Sequence, residues 1–147
     1  MIIWVTGMPK AGKTYLASTL KQIIPNSIVY DGDELRDALK FEGFTKEDRI
    51  EWMTKVGNLA LLASKQGLIA IVALVSPYVS VRKEIKQRCL SEGEVFITVY
   101  VKGSNKFMWE GSEYEPPDEE EGALTLDRSD AEGTYEEIFR LCRWCAR

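Results

Sequence analysis

Near the N-terminus, Gly7, Met8, Pro9, Lys10, Ala11, Gly12, Lys13 and Thr14 follow the pattern G-x-x-x-x-G-K-[ST]. Glycines at both ends let a backbone turn tightly enough for its N–H groups to converge on phosphate oxygens. A helix starting at such a turn adds positive potential, the lysine reaches the β- and γ-phosphates, and the Thr14 hydroxyl can ligate Mg²⁺. The eight residues therefore predict a site for a nucleoside triphosphate.

A phosphate loop alone does not say what the phosphate is for. Guanine-reading switches need N-K-x-D and D-x-x-G segments, and here Asn105 and Lys106 are followed by Phe107 and Met108. The apolar run 68–75 ends in Ser76, Pro77 and Tyr78 with no separate carboxylate for a motor's metal site. A small kinase remains. The chain has no histidine, so a proton acceptor for the attacking hydroxyl should be a carboxylate. Asp31, at the end of the run SIVY (27–30), is the candidate, positioned to accept that proton or to orient Mg²⁺ through water. Asp33 could bind the acceptor or cap the next helix, and Arg36 could hold an anionic group or line a solvated face.

These groups need a scaffold. IIWVT (2–6) is a short continuous apolar run, as in a strand buried on both faces, and helical spacing of Leu16, Ala17 and Leu20 follows the loop. SIVY, LIAIVALV (68–75, read as a central strand), VFITVYV (95–101) and ALTL (123–126) supply four more strands. Helices are predicted around Leu35 and Leu39, over 46–66, over 79–92 and from about Ala131 to Cys145. Alternating strand and helix predicts an α/β fold, a five-stranded parallel sheet with helices on both faces, in a single three-layer domain over 1–147.

Bulk properties narrow the class. A net charge of −4 and pI near 5.0 argue against broad nucleic-acid or membrane-surface binding. No basic leader and no run of about 20 apolar residues appears, which predicts a cytoplasmic protein. Three cysteines without framework spacing suit a reducing compartment, and Cys142 and Cys145 read as core residues at a helix end.

Taken in order, GMPKAGKT, DGDELR (31–36), GFTKEDR (43–49), LVSPY (74–78) with Arg82, and SEYEPP (112–117) resemble the adenylylsulfate kinase family of P-loop NTPases. The resemblance implies transfer of the ATP γ-phosphate to the 3′-hydroxyl of adenosine 5′-phosphosulfate (APS), with Mg²⁺. It implies Asp31 as catalytic carboxylate and Asp33, Arg36 and Arg49 as acceptor ligands. Ser76, Pro77 and Tyr78 would line the same pocket, and Phe44 would stack on the acceptor's adenine.

The chain departs from that pattern in two places. Family members carry Asn and Arg where this chain has Trp52 and Thr54, and Trp52 is placed beside the acceptor. Two lost hydrogen bonds to charge, at about 1.5–3 kcal/mol each, should weaken APS binding. The family's long lid is also cut down here to about 102–122 and lacks its arginine, while Phe107 is kept as a second base-stacking residue. Lys10 is a candidate substitute for that arginine, and Asp118 to Gly122 reads as solvated linker. The expected partner is a small nucleotide-like substrate: APS by default, otherwise another nucleotide-linked molecule or a modified nucleoside. A homodimer is allowed, and the alternative of another class is a nucleotide-binding regulator that docks through the acidic run 118–121.

Overall fold

The computed structural model describes residues 1–103, 113–127, 136–140 and 143. Five strands, β1 (Ile2–Thr6), β2 (Ser27–Asp31), β3 (Ile69–Ala73), β4 (Phe96–Lys102) and β5 (Leu124–Asp127), pair in parallel in the order β2-β3-β1-β4-β5. Four helices intervene: α1 (Lys13–Ile23), α2 (Gly32–Leu39), α3 (Lys46–Lys65) and α4 (Val79–Ser91).

Side chains of β1 alternate between two cores. Ile2 and Trp4 pack with Met53, Val56 and Ala60 of α3 and Val81 and Ile85 of α4. Ile3 and Val5 pack on the opposite face with Leu16, Ala17 and Leu20 of α1 and with Ile138, in a helical stretch at 136–140. A strand covered on both faces must be apolar throughout, which is why IIWVT shows no polar alternation.

LIAIVALV forms the interior strand β3, but the middle of the sheet belongs to β1. Strand pairing stops at Ala73, and Leu74 to Tyr78 leave the sheet edge as a loop toward α4. The helix expected to end at Cys145 is described only at 136–140 and 143; Cys142 and Cys145 lie outside the described residues, while Cys89 is buried. Among the described residues no helix is long and apolar enough to cross a membrane.

Parallel pairing places the carboxyl ends of β1, β2 and β3 on one edge. Asp31 is in register with Ala73, and Ala73 with Val5. Asp31 thus stands two strand spacings from the phosphate loop's root, roughly 10 Å.

Candidate active site

The loop between β1 and α1 is shaped by its neighbours. A side chain at Gly7 would bring its Cβ within 2.7 Å of the Val101 carbonyl, so only glycine fits against β4. Ala11 N–H donates to Met8 O at 3.1 Å, closing a turn with Pro9 second and Lys10 third. Lys10 has φ 64°, the left-handed conformation that a type II turn requires at its third position and that glycine or asparagine normally fills. Gly12, at φ 108°, caps α1 without a side-chain acceptor, and the first turn of the helix carries no acid. Its N–H groups are thereby left to an anion.

Lys13 Nζ donates to Met8 O at 2.7 Å, across the base of the same turn. Burial lowers its pKa to about 8, against the opposing pull of Asp31 and Asp33. A lysine so desolvated gains most when phosphate charge arrives beside it.

Asp31 does two jobs with its two oxygens. Oδ1 accepts the N–H groups of Asp33 (3.2 Å) and Glu34 (3.5 Å), capping α2, while Oδ2 accepts the Thr14 hydroxyl at 2.7 Å. The cap is therefore Asp31 and not Asp33, the alternative the sequence left open. That leaves the Asp33 side chain to the cavity, which it lines.

This cavity measures about 590 Å³ and runs from the phosphate loop to the start of α3. Pro9, Lys10, Gly12, Lys13 and Thr14 form one end, with Asp31 and Asp33 between. At the other end lie Arg36, Phe44, Arg49 and Trp52. Arg36 donates to Gly43 O at 3.0 Å, and its guanidinium lies 4.5 Å from the Phe44 ring centroid and 5.0 Å from that of Trp52. Burial, and after it the charge of Arg49, lowers the Arg36 pKa. Two cations and an exposed ring suit an acceptor that is both anionic and flat.

Trp52 is both core and lining. It is 3% exposed, its ring packs 4.9 Å from Phe41, and its indole N–H finds no partner among the described residues. Thr54, by contrast, is exposed and turns its hydroxyl back to Ile50 O at 2.9 Å.

Ser76 and Pro77 line the cavity; Tyr78 does not. Ser76 is fully buried with φ 43°, a strained state for a residue preceding proline. It is held there because Trp4 Nε1 donates to its hydroxyl (3.0 Å), which donates to Thr6 (3.0 Å), while Arg82 donates to its carbonyl. The Ser76 hydroxyl is thus committed to the scaffold. Tyr78 packs in the α3–α4 core and donates its phenol to Glu113 at 2.6 Å.

Glu113 and Tyr114 also line the cavity, which the sequence reading missed. Glu113 pairs with Arg49 at 3.9 Å, and Tyr114 contacts Thr6 through its hydroxyl at 3.1 Å. The SEYEPP block was the available signal, used above only for the family resemblance. It also anchors the segment: Glu115 N–H donates to Pro77 O at 2.8 Å and its carboxylate accepts Val79 N–H at 2.9 Å. Phe107 lies outside the described residues.

The acidic run is not the solvated linker expected of 118–122. Glu119–Glu121 form a 3₁₀ turn capped by Asp118, and Glu121 is 2% exposed. Both Glu121 oxygens pair with Arg82, at 2.8 and 3.1 Å. Only such a two-point pairing makes a carboxylate tolerable in that position.

Comparison with known proteins bears on the family and the fold. The family model for adenylylsulphate kinase matches residues 1–119. The adenylyl-sulfate kinase of Myxococcus xanthus is 39% identical over 105 residues, 69% of this chain and 57% of that protein. That of Acaryochloris marina is 33% identical over 146 residues, 82% of this chain and 70% of that protein. A solved structure of a Mycobacterium tuberculosis APS kinase variant superposes with a TM-score of 0.68 at 27% identity, covering 95% of each chain. The chain spans little more than half the length of the first of these relatives. Its fold is that of the P-loop NTPases, and the chain belongs to the adenylylsulphate kinase family.

Proposed function

We propose that this chain transfers the γ-phosphoryl group of ATP to a hydroxyl of a nucleotide-like acceptor, with the 3′-hydroxyl of APS as the default. One observation carries the reading: a single cavity joins the phosphate loop to Asp31 and then to Arg36, Arg49 and Phe44. A donor phosphate and an acceptor hydroxyl can meet only where those two ends meet.

In the proposed step the acceptor oxygen forms a bond to the γ-phosphorus. The bond from that phosphorus to the bridging oxygen breaks, and its electron pair stays on ADP. Asp31 takes the hydroxyl proton, while Lys13 and the loop N–H groups stabilise charge on the transferring group. Arg36, Arg49, Asp33 and the Phe44 ring hold the acceptor, and Ser76 and Pro77 form its wall.

The residues present fit Mg²⁺. Thr14 and Asp31 offer a hydroxyl and a carboxylate oxygen within 2.7 Å of each other, the hard donors that ion prefers. Among the described residues no three acidic, cysteine or histidine side chains are grouped so as to hold a metal ion by themselves, so phosphates would share the coordination. When bound, the ion neutralises phosphate charge.

Trp52 favours a second acceptor within the same class. A buried indole whose N–H has no partner among the described residues occupies the acceptor end, where a charged extension would otherwise find polar partners. Another nucleotide-linked molecule or a modified nucleoside is the reading this supports. A coupled ADP-release assay across APS, other nucleotide derivatives and modified nucleosides tests both. Release that depends on one of these acceptors and is lost in Lys13→Ala is expected. ATP binding with no acceptor-dependent release would make the chain a nucleotide-binding regulator instead.

A further inference from the structure

We propose that Glu113 is a charge-selecting residue of the acceptor end: its carboxylate, held beside Arg49, lets the site take one anionic group and disfavours a second. The inference deepens the acceptor half of the reading above and rests on it.

The arginines at this end are not matched by ligand charge alone. Arg36 and Arg49 line it, but Glu113 lines it too, and Asp33 stands between it and the phosphate loop. Among these four lining residues the formal charges cancel. The phosphate end invites anions; the acceptor end meters them.

Partners fix where the Glu113 carboxylate sits. Tyr78, 6% exposed and packed in the α3–α4 core, donates its phenol to Oε2 at 2.6 Å. Two residues on, Glu115 ties the backbone to Pro77 O and Val79 N–H. A short charge-assisted bond from a buried phenol keeps the carboxylate at the cavity wall, although its side chain is 54% exposed.

Arg49 Nη1 lies 3.9 Å from the same oxygen, a contact of charges but too long for a hydrogen bond. Its guanidinium is therefore biased toward Glu113 without being closed to a ligand. One anionic group can take N–H bonds from Arg49 and attraction from Arg36. A second negative charge meets the Glu113 carboxylate in a partly desolvated cavity, where like charges repel more than in bulk water. Selection by such a repulsive contact needs no new attractive one.

The test is calorimetry on the whole chain in saturating MgADP, which fills the donor end, with adenosine, AMP and APS as probes at low salt. These share a base and ribose and differ in charge. Glu113→Gln removes the charge and keeps an oxygen for Tyr78; Glu113→Lys reverses it. AMP and APS are expected to bind about three- to tenfold tighter to Glu113→Gln and tighter again to Glu113→Lys, with adenosine within about twofold throughout. The gain should shrink in about 1 M NaCl, where the screening length falls to about 3 Å. Unchanged affinity for AMP and APS across the series overturns the inference alone, as does a gain that adenosine shares or that salt leaves intact. Failure of parent and variants to bind any of the three probes overturns the acceptor reading, and the inference with it.

Discussion

The Thr14 hydroxyl donates to Asp31 Oδ2 at 2.7 Å, linking the first turn of α1 to the end of β2 across the intervening edge of the sheet. The other Asp31 oxygen caps α2, so this carboxylate is fixed from two sides before any ligand arrives. Asp31→Asn keeps an oxygen for the cap and removes the base. Turnover is expected to fall by about 10²–10⁴-fold while unfolding by urea shows little change. Asp31→Ala should add a stability loss of about 1 kcal/mol from the missing cap. Equal turnover in the parent and Asp31→Asn would remove Asp31 from the chemistry.

Lys13 makes nucleotide binding weaken at alkaline pH. Its folded pKa of about 8 lies below the ordinary lysine value of 10.5, because burial disfavours the ammonium. Below about pH 8 the free protein carries a desolvated charge at a cost. That cost is relieved as pH rises from about 8 toward 10.5, so ligand-free stability should increase through this window. Nucleotide phosphates favour the charged form, so binding above pH 8 should take up a proton and weaken by up to about tenfold per pH unit. Calorimetry in buffers of different ionisation enthalpy reads the uptake, and Lys13→Met should abolish it.

Arg82 and Glu121 form a buried pair, with side chains 2% and 1% exposed. Removing one partner strands the other charge. Arg82→Met and Glu121→Leu should each cost about 3–5 kcal/mol in urea unfolding, and the double variant should recover much of it. Arg82 also donates to the carbonyls of Ser76 and Glu115, so its loss should cost more than that of Glu121. Additive losses in the double variant would show that the pair is not coupled.

Trp52 and Thr54 should set acceptor choice. Replacing them with the residues typical of the family, Trp52→Asn with Thr54→Arg, is expected to lower the KM for APS by about tenfold or more, one regained charged hydrogen bond's worth. Stability should fall by about 3 kcal/mol, because Trp52 fills the core against Phe41. An unchanged KM for APS in the folded double variant would place acceptor choice elsewhere.

Much of this was local in the chain. The phosphate loop is contiguous, so its residues and spacing carry its geometry, and the flanking strand and helix follow from apolar runs and helical spacing. Strands buried on both faces announce themselves as continuous hydrophobic stretches, which made the parallel sheet legible from IIWVT and IAIVA. Asp31 was legible for the same reason, standing where such a strand ends.

What stayed hidden depends on residues far apart in the chain. Three consecutive glutamates look solvated until α4 brings Arg82 against the last of them, 39 positions away. Ser76 reads as a pocket hydroxyl until Trp4 and Thr6, on a neighbouring strand, claim it. Glu113 reads as a loop charge until Arg49 and Tyr78 converge on it. By itself, then, the sequence determined the phosphate loop, the sheet and the end of β2 where a base can stand, because periodicity and contiguous motifs encode short-range geometry. Only the tertiary structure decided which polar side chains face the cavity and which are spent on the scaffold, because a buried polar group must find its partner wherever the fold brings one.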